Sequence, residues 1–182
     1  MTVAVLLAPG FEEIEALTPV DVLRRAEITV EILGFSAEVT GSHGITVKAD
    51  KVFDGDLSAY DMIVLPGGLP GSNHLRDNDE LIQALQDAAQ SEKWLAAICA
   101  APKVLGRAGL LDNKRYTCYP GVEEEIGVGN HSTELLVQDA RMITAQGAGV
   151  SLAFAYRLVE VLGGDAKKLS NGMIYDQLFE EN

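Results

Sequence analysis

A cysteine stands where a buried strand hands over to a helix: Ala96-Ala97-Ile98-Cys99-Ala100-Ala101-Pro102 closes an apolar run that begins at Trp94. A sharp strand-to-helix turn tolerates only small side chains two residues either side of a nucleophile, and Ala97 and Ala101 are both small. Pro102 fits the first turn of the helix, where its missing N–H costs nothing. A sulfur at a helix N-terminus meets unsatisfied backbone N–H groups and the positive end of the helix dipole. The expectation is therefore a thiol titrating below its free value of roughly 8.5. The bland alternative is a small apolar cysteine packed under a sheet.

Two further stretches supply partners for such a sulfur. Glu15 lies one turn into the first helix, and its face at i+3, i+4 and i+7 carries Thr18, Pro19 and Val22. A carboxyl among mostly apolar neighbours has a raised pKa, and in its neutral form it donates a hydrogen bond to a thiolate. The competing reading makes Glu15 one more solvated acid beside Glu12 and Glu13. The glycine-rich loop Gly67-Gly68-Leu69-Pro70-Gly71 lets backbone N–H groups turn toward an anion. Paired with the amide of Ala100, the amide of Gly68 would make an oxyanion hole. A plain glycine turn is the alternative, and no Gly-Lys-Ser/Thr follows to make the loop a phosphate-binding P-loop.

These residues need a scaffold, and the chain reads as apolar runs of strand length alternating with amphipathic helices, the pattern of a parallel sheet covered on both faces. Thr2 to Leu7 is the first buried strand, followed by a helix from about Glu12 to Arg25 and a strand at Thr29 to Gly34. Glu38 to Phe53 reads as short antiparallel strands at one edge. Met62 to Leu65 is buried strand; Asp79 to Gln90 is helix; Trp94 to Ile98 leads into the elbow and a helix closed by Gly109. Tyr116 to Cys118, Glu134 to Val137 and Met142 to Thr144 look like strands, and Val150 to Leu162 is a strong amphipathic helix. In open sheets of this kind ligands bind beyond the carboxyl ends of the strands. The loops at Ala8 to Glu13, Pro66 to Ser72 and Cys99 all end there.

The 182 residues, 47% of them hydrophobic, are enough to bury a sizeable core and read as one domain spanning 1–182. Lys and Arg number 14 against 27 Asp and Glu, a net charge of −13 that repels nucleic acid and anionic membrane surfaces. Two cysteines, Cys99 and Cys118, are too few for a disulfide scaffold, and the N-terminus runs into a strand without a basic or long apolar leader. The expectation is a protein of the reducing cytoplasm with no membrane span.

Four segments in order, Ala8-Pro9-Gly10-Phe11-Glu12-Glu13-Ile14-Glu15, Val64-Leu65-Pro66-Gly67-Gly68, Ala97-Ile98-Cys99-Ala100 and Thr144-Ala145-Gln146-Gly147-Ala148-Gly149, resemble the ThiJ/PfpI superfamily in its DJ-one and YajL-like branch. The resemblance spans nearly the whole chain. It implies a flavodoxin-like three-layer α/β sandwich, a homodimer, and a nucleophilic cysteine hydrogen-bonded to a glutamic acid, which map onto Cys99 and Glu15. It further implies a glyoxalase needing neither glutathione nor metal, a protein deglycase, or an oxidative-stress responder or chaperone. Gly67, Tyr119, Gly147 and Ala148 become candidates for the substrate pocket. Arg24, Arg25 and His43 match positions where relatives carry cationic or polar groups near the pocket mouth.

One departure matters. Where protease-like relatives place a histidine close to the cysteine, this chain has Cys118-Tyr119-Pro120. A Cys-His dyad needs an imidazole to take the thiol proton, and a phenol of pKa about 10 is a poor substitute. His43, His74 and His131 lie apart in loops without ligand-pair spacing, so neither a peptidase nor a zinc site is expected. Cys118 is either packing or a resolving thiol for Cys99. Two functions remain open. In one, a cofactor-free enzyme adds Cys99 to methylglyoxal, glyoxal or their protein adducts, with Glu15 moving protons; in the other, a redox sensor or chaperone acts through oxidation of Cys99 without turnover.

Overall fold

The computed structural model describes residues 1–179. Its strands are β1 (Thr2–Leu7), β2 (Thr29–Gly34), β3 (Glu38–Thr40), β4 (Thr46–Lys48), β5 (Lys51–Val52), β6 (Met62–Leu65), β7 (Trp94–Ile98), β8 (Arg115–Tyr116), β9 (Asn130–His131), β10 (Leu136–Asp139) and β11 (Met142–Ala145). Its helices are α1 (Glu13–Arg25), α2 (Gly71–Arg76), α3 (Asp79–Gln90), α4 (Pro102–Arg107), α5 (Val122–Ile126), α6 (Ser151–Val161) and α7 (Ala166–Gly172).

Seven strands form the main sheet in the order β10-β11-β7-β6-β1-β2-β5. β10 runs antiparallel to β11, and every other neighbouring pair is parallel. The alternation of side chains along each strand feeds two separate cores. Val3, Val5 and Leu7 of β1 join Met62 and Val64 of β6 and Ala96 and Ile98 of β7 on the face covered by α1 and α6. Ala4 and Leu6 join Ile63, Leu65, Leu95 and Ala97 on the face covered by α3 and α4. Both faces of the central strands are buried, so β1, β6 and β7 are apolar at nearly every position rather than at every second one. The result is a three-layer sandwich with a mostly parallel sheet, as the alternation of strand and helix patterns implies.

Several expectations are corrected by the structure. Glu12 is the N-cap of α1 rather than its first helical residue, its Oε2 accepting the Glu15 N–H at 2.8 Å. Only part of the Glu38–Phe53 stretch is antiparallel: β3 and β4 pair as a separate two-stranded sheet, whereas β5 joins the main sheet parallel to β2. Backbone bonds from Asp50 N to Ile32 O and Phe53 N to Gly34 O draw β5 onto that edge. Helices α2, α5 and α7 are not expected from the sequence; all are short, and α2 and α5 are preceded by Pro70 and Gly121, residues that read as loop.

Strand order reverses between β1 and β6, because β2 lies on one side of β1 and β6 on the other. The crevice outside the carboxyl ends at such a point is where an open sheet accepts ligands. Glu15 follows β1, the Gly67-Gly68 loop follows β6, and Cys99 follows β7. The topology therefore delivers all three to one place.

Candidate active site around Cys99

Cys99 adopts φ +63°, the left-handed region that a residue with a side chain occupies only under constraint. Two bonds hold it there: its N–H donates to the Ala145 carbonyl at 2.9 Å, and its carbonyl accepts the Tyr119 N–H at 2.8 Å. Both come from segments after the elbow in sequence, and neither partner is visible in the local pattern. The sulfur is thereby lifted toward the crevice at the entrance to α4.

Gly67 and Glu15 close the site from the other side. The Glu15 carboxyl is fully buried, and its Oε2 accepts the Gly67 N–H at 2.9 Å. A Cβ on Gly67 would stand 2.6 Å from that oxygen, 2.8 Å from the Cys99 Cβ and 3.0 Å from the Ala100 nitrogen, so only glycine fits between acid and nucleophile. The second oxygen, Oε1, is buried without a hydrogen-bond partner. An ionised carboxylate tolerates that poorly, and a neutral acid tolerates it better. Gly68, at φ +88°, is excluded from bearing a side chain by the Glu12 nitrogen, 2.3 Å from where its Cβ would be.

Burial raises the Glu15 pKa to about 7, with the negative charge of Glu12 adding to it and the contacts to Cys99 and Gly67 opposing. Burial also pushes the Cys99 thiol up to about 12, helped by the charge and hydrogen bonding of Glu15, while the amides of Ala100 and Gly68, both turned toward the sulfur, act in the opposite direction. This direction is opposite to the lowering expected of a thiol at a helix N-terminus. Desolvation and a facing carboxylate outweigh two amides and a helix only six residues long. Near neutrality the thiol keeps its proton while Glu15 is divided between acid and carboxylate, and the carboxylate form is the one able to take the thiol proton.

The other candidates divide. Tyr119, Gly147 and Ala148 line one shallow cavity together with Leu135, and a Cβ on Gly147 would lie 3.6 Å from the Tyr119 ring. His43 is exposed, its N–H donating to Glu13 Oε1 at 2.7 Å and its Nδ1 lying 2.9 Å from Glu13 Oε2. That carboxylate raises the His43 pKa. Arg24 and Arg25 do not reach the site. They occupy the last turn of α1, where Arg24 binds the Val30 carbonyl and Asp50, and Arg25 binds Asp21. At 1.5 Å rise per residue, Arg25 lies about 15 Å along the helix from Glu15. The placement of Arg25 at the pocket mouth is corrected accordingly.

Cys118 and Cys99 are both free thiols. The Cys118 sulfur is turned toward Glu123, whose Oε2 lies 3.7 Å away, and burial with the charge of Glu123 pushes this thiol up to about 12. His131, expected as an isolated surface residue, is carried to the same place by the parallel pairing of Tyr116 with His131. Among the described residues two groups bring three potential metal donors together, Cys118-Glu123-His131 and Glu12-Glu13-His43.

Comparison with known proteins bears on family and fold. Residues 1–161 match the model of the DJ-1/PfpI family. The chain is 37% identical over 171 residues to protein DJ-1 homolog B of Arabidopsis thaliana, covering 92% of this chain but only 39% of that protein. It is 30% identical over 167 residues to a protein of Pyrococcus abyssi named a deglycase, covering 89% of this chain and 99% of the relative. The solved structure of Toxoplasma gondii DJ-1 in an oxidized form superposes with a TM-score of 0.88 at 32% identity, over 95% of this chain and 97% of that one. With the family model matching most of its length and relatives at 30 to 37% identity, the chain belongs to the DJ-1/PfpI family.

Proposed function

We propose that the chain is a cysteine-dependent, cofactor-free enzyme of glyoxalase or deglycase type, acting on methylglyoxal, glyoxal or their protein adducts. The observation that carries this reading is the buried acid facing a thiol across a glycine, with two amides turned toward the sulfur. The deglycase name of the Pyrococcus abyssi relative supports it at the level of the family. In the reaction, the Cys99 sulfur attacks the aldehyde carbon of methylglyoxal as its proton passes to Glu15. The carbonyl oxygen becomes an oxyanion at the Gly68 and Ala100 amides and is protonated to a hemithioacetal. Glu15 then takes the proton from the former aldehyde carbon and gives it to the adjacent carbonyl oxygen, forming an enediol; loss of the other hydroxyl proton and protonation of the neighbouring carbon, again through Glu15, leave a 2-hydroxy thioester. Water cleaves the thioester to lactate and restores the thiol. Substrate and water supply every atom, so no cofactor enters.

The same reading places the protein in the cytoplasm as a homodimer, away from nucleic acid and anionic membranes, which its net charge of −13 repels. No helix of the described residues is long and apolar enough to cross a membrane. The test is lactate formation from methylglyoxal by the native chain, Cys99→Ala and Glu15→Gln. Loss of product in both variants supports the enzyme; product from Cys99→Ala at the native rate refutes it. A second reading, a redox sensor, draws on the oxidized Toxoplasma gondii relative and on the two amides that would hold oxygens added to the sulfur. It is favoured if Cys99 oxidises readily while no variant or native sample forms lactate.

A further inference from the structure

We propose that Cys118, Glu123 and His131 form a binding site for a zinc-class divalent cation, separate from the Cys99–Glu15 pair and independent of the reaction assigned to it. One donor atom from each residue lies within 4.8 Å of both others, and together they offer sulfur, carboxylate oxygen and imidazole nitrogen, the donor types that zinc takes. The Cys118 Sγ to Glu123 Oε2 separation is 3.7 Å. Metal bonds of about 2.3 Å to sulfur and about 2.1 Å to oxygen at a tetrahedral angle require about 3.6 Å between those two atoms. The sulfur and the carboxylate are already at ligating distance from a common centre.

The scaffold around the three donors is fixed. Glu123 is anchored by the Gly121 N–H, which donates to its Oε2 at 2.7 Å at the start of α5. His131 packs against the Tyr116 ring with centroids 5.6 Å apart, in register with it across β8 and β9. Cys118 is fully buried and Glu123 half-buried, whereas His131 is exposed and reaches in from the surface, leaving an approach for the ion and a fourth position for water. The other donor group lacks a sulfur and is more heavily hydrogen-bonded. In the Glu12-Glu13-His43 group the Glu13 oxygens are already occupied by the His43 and Ile45 N–H groups, the Ser42 hydroxyl and the His43 ring.

Binding forms a sulfur–metal bond and breaks the Cys118 S–H bond, with one proton released to solvent, while His131 binds neutral and Glu123 ionised. A ligated Cys118 cannot serve as a resolving thiol for Cys99. The site is also one residue from Tyr119, whose N–H holds the Cys99 carbonyl. The ion would therefore tie the loop after β8, the first turn of α5 and β9 into one clamp behind the elbow.

The test is a titration of the full chain with Co2+ and then Zn2+, followed by absorption and calorimetry, on native protein, Cys118→Ser, His131→Ala and Cys99→Ala. The expected result is one equivalent of Co2+ with a thiolate-to-cobalt charge-transfer band, displaced by Zn2+, retained in Cys99→Ala and lost in Cys118→Ser. His131→Ala, at an exposed position that leaves folding intact, should weaken Zn2+ at least as much as the about 10- to 100-fold that outer-shell partners cost. No one-to-one binding, a band that follows Cys99 instead of Cys118, or unchanged affinity in His131→Ala overturns the proposal. None of these results bears on lactate formation, so the two readings fail separately.

Discussion

The Gly67 N–H donates to Glu15 Oε2 at 2.9 Å, and the missing side chain of the same glycine is what lets the acid face the thiol. Gly67→Ala should cost activity steeply, because a Cβ 2.6 Å from the carboxyl and 3.0 Å from a backbone nitrogen must push one of them aside. Misplacement of a reacting group by about 1 Å costs about 100-fold. Steady-state kinetics on Gly67→Ala should show that loss in kcat, with the far-ultraviolet circular dichroism unchanged.

Glu15→Gln keeps a polar group of the same size but no transferable proton. Methylglyoxal turnover should fall by about 100- to 10,000-fold, the range assigned to a positioned acid or base. Oxidation of Cys99 by peroxide, followed by intact mass, should continue. Retention of full turnover would remove Glu15 from the proton path.

The pH dependence of Cys99 alkylation separates a preformed thiolate from a base-assisted thiol. With Glu15 titrating at about 7 and the thiol held high, iodoacetamide reactivity should rise through about pH 7 as Glu15 becomes able to accept the proton. In Glu15→Gln that rise should vanish, leaving only reactivity at alkaline pH. A midpoint well below 7 that persists in Glu15→Gln would restore the low-pKa thiolate.

Burial of Glu15 also sets a stability trend. Its folded pKa of about 7 exceeds the unfolded value of 4.5, so the folded state binds the extra proton between them. Stability is fully present below about 4.5 and is lost as pH rises through about 7, by about 3 kcal/mol in all. Thermal melts should show Glu15→Gln gaining Tm relative to the native chain at pH 8, with the difference shrinking toward pH 5.

Arg25→Ala should leave methylglyoxal turnover unchanged, since the side chain is more than half exposed, pairs with Asp21 at 2.8 Å and lies at the far end of α1. The lost i,i+4 pair is worth at most about 0.5 kcal/mol. A drop of tenfold or more in kcat/KM would return Arg25 to the pocket.

What was legible in the chain and what was not follows from the range of the interactions. β1, β6 and β7 announce themselves because strands buried on both faces are apolar almost throughout, whereas β11 carries Thr144 and reads less clearly, and Cys99 is marked by the small residues around its turn. Glu15 is legible because its helical neighbours are apolar. The upward push on the Cys99 thiol is not legible locally because it comes from burial between the two cores and from Glu15, 84 residues earlier in the chain. His131 reads as an isolated histidine until the Tyr116–His131 pairing closes the loop that carries it back to Cys118. Arg25 was misplaced because a motif match locates a residue along a helix without saying which end of that helix meets the site.

Cys99 is packed against both cores of the sandwich, the one under α1 and α6 and the one under α3 and α4. A single sulfur thus sits at the seam of two otherwise separate layers. Any group attached to it, whether acyl chain or oxygen, must be accommodated by both at once. Hydrogen exchange in α1 and in α4 should therefore change together when that one atom is modified, which makes the body of the fold a reporter of the chemical state of its nucleophile.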